Sequence, residues 1–147
     1  MYSSSKNRTP ARLAVLASLA LALAAGCASM GGGGGIAINL SGSQEVPPAT
    51  TQAAGSGTIT VGEDKSVSGS VTTTGVVGLA AHIHVGSAGK NGPVIIPLTK
   101  AADNVWSVPA GAKLTDAQYE SYKAGDLYVN VHSAAYKGGE IRAQIKP

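Results

Sequence analysis

The chain has 147 residues, with 11 Lys and Arg against 8 Asp and Glu. Lys6, Arg8 and Arg12 stand at the extreme N-terminus, so the rest carries eight charges of each sign and offers no basic surface for nucleic acid or anionic partners. With one cysteine, one Trp and no Phe, a disulfide framework is excluded and the core must come from Val, Ile, Leu and Ala, which suits thin, closely packed sheets.

The three N-terminal cations precede an apolar run, Leu13 to Ala25. About thirteen residues is short for a helix that spans a bilayer and fits the core of a signal peptide. The run ends Leu23-Ala24-Ala25-Gly26-Cys27, and small residues before a lone cysteine resemble the bacterial lipobox. The expectation is a lipoprotein signal peptide over 1–26, with Cys27 lipidated and the protein anchored to a membrane it does not cross. Ala24 stands where leucine is commoner; an ordinary signal peptide, cut at an Ala-x-Ala-like site, would leave Cys27 incidental. Ala28 is not the aspartate that signals inner-membrane retention, so an outer membrane is the expected address in a host with two. Gly31–Gly35 makes 27–35 a flexible tether, and 36–147 is enough chain for one domain.

Within that domain Ile36–Leu40 alternates apolar and polar residues and predicts a first strand. Ser41–Gln52, with two prolines, predicts a loop or edge segment. Gly57–Val61 and Ser66–Thr74, joined by Gly62-Glu63-Asp64-Lys65, predict a hairpin. Ala80–Val85 and Val94–Leu98 are strands flanking a Gly-rich loop, and Val105–Val108 is a short strand holding Trp106. Leu114–Ala124 predicts the one helix: Thr115 and Gln118 have capping-box spacing and Gly125 stops it. Asp126–Ser133 and Glu140–Lys146 are the last strands. About eight short strands and one short helix argue an all-β antiparallel Greek-key sandwich or flattened barrel.

The candidate chemistry lies in three histidines. His82 and His84 are two apart and share a strand face, opposite Ala81, Ile83 and Val85. His132 lies opposite Leu127, Val129 and Val131. By parity all three leave the core on the outer side of a sheet and meet if their strands are neighbours. Glu140 and Tyr128 are outward by the same count, with Glu140 the candidate fourth ligand. Three neutral imidazoles suit copper or zinc, copper standing at the top of the affinity series, and they leave a coordination position open. The same pattern also fits three solvated surface histidines. No Gly-x-Ser-x-Gly elbow is present, and the Gly-rich loop precedes a strand and lacks the Lys-Ser/Thr pair of a phosphate loop.

The ordered runs LSGSQEVPP (Leu40–Pro48), AAHIHVGSAGKNGPVIIPL (Ala80–Leu98), LTDAQYESYKAGDLYVNVHS (Leu114–Ser133) and GGEIRAQI (Gly138–Ile145) resemble the CHRD domain, named for chordin and common in secreted bacterial proteins. The resemblance implies an all-β domain with histidines at the places of His82, His84 and His132. It implies little about activity; in chordin the repeats belong to an extracellular binding protein, which keeps an interaction role open. A fainter likeness to copper-zinc superoxide dismutase is confined to general form, because that enzyme needs more histidines, a zinc-binding aspartate and a disulfide. Three readings follow. The first is a lipid-anchored extracytoplasmic domain that binds a metal, copper before zinc, without turnover. The second is a module for an envelope protein partner, and the third a small mononuclear copper redox enzyme.

Overall fold

The computed structural model describes residues 1–2 and 34–147; the leader, Cys27 and most of the tether lie outside the described residues. The chain divides into two units, Met1–Met30 and Gly31–Pro147, and the fold below is that of the second.

Nine strands form one antiparallel sheet. They are β1 (Ile36–Ser41), β2 (Ala54–Val61), β3 (Val67–Thr74), β4 (Ala80–Val85), β5 (Val94–Pro97), β6 (Thr99–Ala102), β7 (Val105–Ser107), β8 (Leu127–His132) and β9 (Ile141–Ile145), with α1 (Asp116–Lys123) between β7 and β8. Their order across the sheet is β5-β4-β8-β9-β1-β2-β3-β7-β6. Strands β5 and β6 lie at opposite edges of that order, yet only Leu98 separates them in sequence. The sheet must therefore curl until its edges meet, which makes a nearly closed barrel. Leu98 is buried at the seam, and its N–H donates to Ala81 O at 2.9 Å.

The barrel interior is aliphatic, as the composition demands. Ile59, Val71, Val129, Val131, Ile141 and Ile145 are wholly buried, and Trp106 joins them from β7. Each comes from the apolar parity of its strand. The β2–β3 ladder runs unbroken from Ala54↔Thr74 to Val61↔Val67. Its turn is held by Asp64 Oδ1, which accepts from Ser66 N (3.1 Å) and Ser66 Oγ (2.6 Å). The helix begins where its capping box predicts: Thr115 Oγ1 accepts from Gln118 N, and Thr115 N donates to Gln118 Oε1. It packs Tyr122 and Tyr119 against the core.

The expected eight strands become nine because of β6. Its sequence, TKAA, is exposed at every position and has no apolar face to betray a strand; only its ladder to β7 makes it one. The Ser41–Gln52 segment is a loop as expected, opening with a short 3-10 turn at Gly42–Gln44.

Candidate metal centre

The register of the β4–β8 ladder carries the site. Ala80 faces His132, His82 faces Asn130 and His84 faces Tyr128. With His82 and His84 on one side of β4, this places His132 one step diagonally from His82. Ring centroids are 4.8 Å apart for His82 and His132, 5.6 Å for His82 and His84, and 6.2 Å for His84 and His132. One nitrogen from each lies within 4.8 Å of the others. Bonds of about 2.0–2.1 Å to a common ion would hold them roughly 3–4 Å apart, so a small inward turn of the rings closes the gap.

Protonation follows from the partners. His84 Nδ1 lies 2.9 Å from Gly92 O, and His132 Nδ1 lies 2.9 Å from Lys137 O. A carbonyl can only accept, so each Nδ1 carries the proton and each Nε2 of the neutral ring presents a lone pair. His82 Nδ1, 3.0 Å from His132 Nε2, then supplies the proton between those two rings. Backbone carbonyls that fix the tautomer and the ring plane are the usual outer support of a metal-ligating histidine. Burial, followed by the charges His132 and His84 would carry, holds the His82 pKa below its ordinary value. Burial also depresses His84, against the opposing bond to Gly92 O. Both effects keep these imidazoles neutral, the form that ligates.

The outer side of β8 and β9 differs from the solvated face that alternation alone predicts. Tyr128, Asn130, Glu140 and Arg142 are all buried there, with Arg142 only 1% exposed. Two loops cover them. Arg142 Nη2 donates to Ser87 O (3.1 Å) and Lys90 O (3.0 Å), and Gln144 Nε2 donates to Gly86 O (2.7 Å). These bonds pull the β4–β5 loop across the sheet. Asn91 clamps that loop to the Ser41–Gln52 loop by donating to Val46 O at 2.6 Å. Gly92 anchors it again, giving its N–H to Tyr128 Oη (3.2 Å) and its carbonyl to His84. A Cβ on Gly92 would run into Val85 O, so only glycine lets the loop lie this close.

The covered layer is a stack. The Tyr128 ring lies parallel to His84, at 4.7 Å and 7°, and the Arg142 guanidinium sits 3.4 Å from the tyrosine centroid. Glu45, from the Ser41–Gln52 loop, is buried close by. Burial pushes its carboxyl up to about 7, against the lowering influence of Arg142, the Val46 amide and Asn130. Among the described residues, four buried side-chain polar atoms lack a partner: Glu45 Oε1, His84 Nε2, Asn130 Oδ1 and Trp106 Nε1. The first three share this layer.

Of the expected site residues, His82, His84 and His132 come together. Glu140 does not join them; its Oε1 accepts from Thr51 Oγ1 at 2.6 Å and ties the Ser41–Gln52 loop to the start of β9. Cys27 lies outside the described residues. Glu45, Asn130 and Arg142 were not singled out by sequence reasoning. Their one available signal was position, since all three fall inside the quoted motif runs. A cleft of about 680 Å³, lined by Glu45, Arg142, Gln144 and Lys146 among others, opens beside the layer, and none of the histidines lines it.

Curled antiparallel sheet, covered outer layer and histidine cluster together define an all-β domain with a potential metal centre. Residues 36–145 match the CHRD domain, and the chain belongs to that family. No curated protein and no solved structure matches it.

Proposed function

We propose that this CHRD domain binds a transition-metal ion through His84 Nε2, His132 Nε2 and His82 Nδ1, copper before zinc. One observation carries the reading: His84 Nε2 is buried, holds a lone pair and has no partner. A buried acceptor left unmade costs about 1–3 kcal/mol, and a bound cation removes that cost. For His82, ligation through Nδ1 requires only that its proton move to Nε2. Three imidazoles accept copper or zinc alike, and the affinity series favours copper where it is available. The role is binding or handling of the metal. His82 and His132 are only half-buried, so one side of the ion would be accessible. That supports a second reading, a small copper redox enzyme with a free coordination position.

The proposal places the domain outside the cytoplasm, held to a membrane through a lipid on Cys27, the outer one where there are two. The apolar run ending at Cys27 supports it. A Cys27→Ser protein should leave the membrane fraction; one that stays anchored contradicts the lipid.

The metal reading is tested by titrating copper(II) and zinc(II) into the detergent-purified chain beside a His82→Ala/His84→Ala variant. Tight one-to-one binding, lost in the variant and weakening as pH falls below about 6.5, is expected. Affinity that is flat from pH 8 to 5, or equal in the variant, rejects the histidines as ligands and leaves a module for an envelope partner. Turnover of a redox substrate by the copper-loaded chain would favour the enzyme.

A further inference from the structure

Asn130 occupies the centre of the covered layer. It lies on β8 between Tyr128 and His132, faces His82 on β4 and Arg142 on β9, and is 2% exposed. Its Nδ2 donates to Gly138 O at 3.4 Å and lies on the Glu45 side, where Gly139 closes over both. Its Oδ1 has no partner, and neither has His84 Nε2. The Asn130 side chain reaches His84 as well as Glu45.

These two orphans are both acceptors. His84 has spent its one proton on Gly92 O, so it cannot donate to Asn130 Oδ1. Turning the amide over would offer Nδ2 to His84 but set Oδ1 against the Gly138 carbonyl. Two buried lone pairs on neighbouring side chains, with no hydrogen of their own to place between them, call for an added donor or cation: a proton on His84, a bridging water or a metal ion. Five of the six ring nitrogens are accounted for by Nδ1 of His84 and His132 on carbonyls, by the His82–His132 contact and by the outward His82 Nε2; the orphaned sixth is His84 Nε2.

We propose that Asn130 Oδ1 is the fourth protein donor to the metal, completing a neutral three-nitrogen, one-oxygen set. This rests on the three-histidine reading and extends it. An amide oxygen is a hard, uncharged ligand. It supports copper(II) or zinc(II) and contributes little to soft copper(I), so the site holds the oxidised ion more firmly. Glu45 and Gly138 on the Nδ2 side orient the amide, as outer partners orient ligands elsewhere.

The test compares the detergent-purified full chain with Asn130→Asp and Asn130→Ala, loaded with copper(II). Electron paramagnetic resonance reports the donor set, and competition titrations report copper(II) and copper(I) affinity. Asn130→Asp keeps the shape and supplies a charged oxygen, so copper(II) should bind at least about tenfold tighter with an altered hyperfine splitting. Asn130→Ala should lose about tenfold or more for copper(II), with little change for copper(I). Should Asn130→Ala fail to fold, the aspartate variant alone decides. Unchanged spectrum and affinity in Asn130→Asp overturn the fourth ligand while leaving the histidines in place, and the two orphans would then share a buried water. A wild-type chain that binds no copper(II) overturns both readings.

Discussion

The two halves of this sheet are built from the same alternating pattern and end in different states. On β2 and β3 the inward Ile59, Val61, Val67 and Val71 are buried, while Ser56, Thr58, Ser68 and Thr72 meet solvent. On β8 and β9 the inward residues are equally aliphatic, but the outward Tyr128, Asn130 and Arg142 are buried too, and the outward His132 and Gln144 are half-buried. The second half is therefore three layers deep: aliphatic core, polar sheet face, covering loops. Alternation tells which residues share a face, but not whether that face is wet. A polar layer under a lid must satisfy its groups internally, and the few it leaves unsatisfied gather beside the histidines.

Mutations can break this contrast. The largest effect is expected for Arg142→Leu, which strips donors from Ser87 O and Lys90 O and the cation from Tyr128. Urea denaturation should register a loss of about 3 kcal/mol. A loss below about 1 kcal/mol would mean the covering loops contribute little.

Glu45→Gln comes next, and its effect depends on pH. The folded-state pKa, raised to about 7 by burial, lies above the unfolded value of 4.5. The folded chain thus holds the proton more tightly; that stability is fully present below about 4.5 and is lost as pH rises through 7. Glutamine mimics the protonated acid, so the variant should match wild type near pH 4 and exceed it near pH 9 by about 1–2 kcal/mol, below the roughly 3 kcal/mol of a fully shielded carboxyl because solvent screens part of the effect. Identical stability curves would show that Glu45 is solvated. The smallest effect belongs to the other half: Thr72→Ala, on the open face of β3, should stay within about 0.5 kcal/mol in the same assay. A Thr72 loss approaching that of Arg142 would erase the distinction.

Much of this was legible in the sequence. The helix start follows from Thr115 and Gln118, because a capping box is local chemistry. The convergence of the imidazoles follows from parity plus one assumption, that β4 and β8 are neighbours, and they are. Strand β6 was not legible, because TKAA is held by hydrogen bonds to β7 and not by an apolar face. The placing of Glu140 was half legible: its face was right, but its carboxylate is taken up by Thr51 of the Ser41–Gln52 loop, a partner 89 residues away in the chain. Glu45 and Arg142 illustrate the deeper limit. Their burial is created by loops distant in sequence, and no local period records what a loop will cover.

The seam at Leu98 has a consequence for life at high concentration. A strand edge normally offers unpaired N–H and C=O groups to any neighbouring chain, and this is how sheet proteins aggregate. Here the two edge strands are four residues each and turn toward one another across a single buried leucine. One is bounded by Pro93 and ends in Pro97, which have no N–H to give, and the other carries Lys100. The short, charged and proline-marked border leaves little template for a second copy, so these domains can crowd together without adding to one another's sheets.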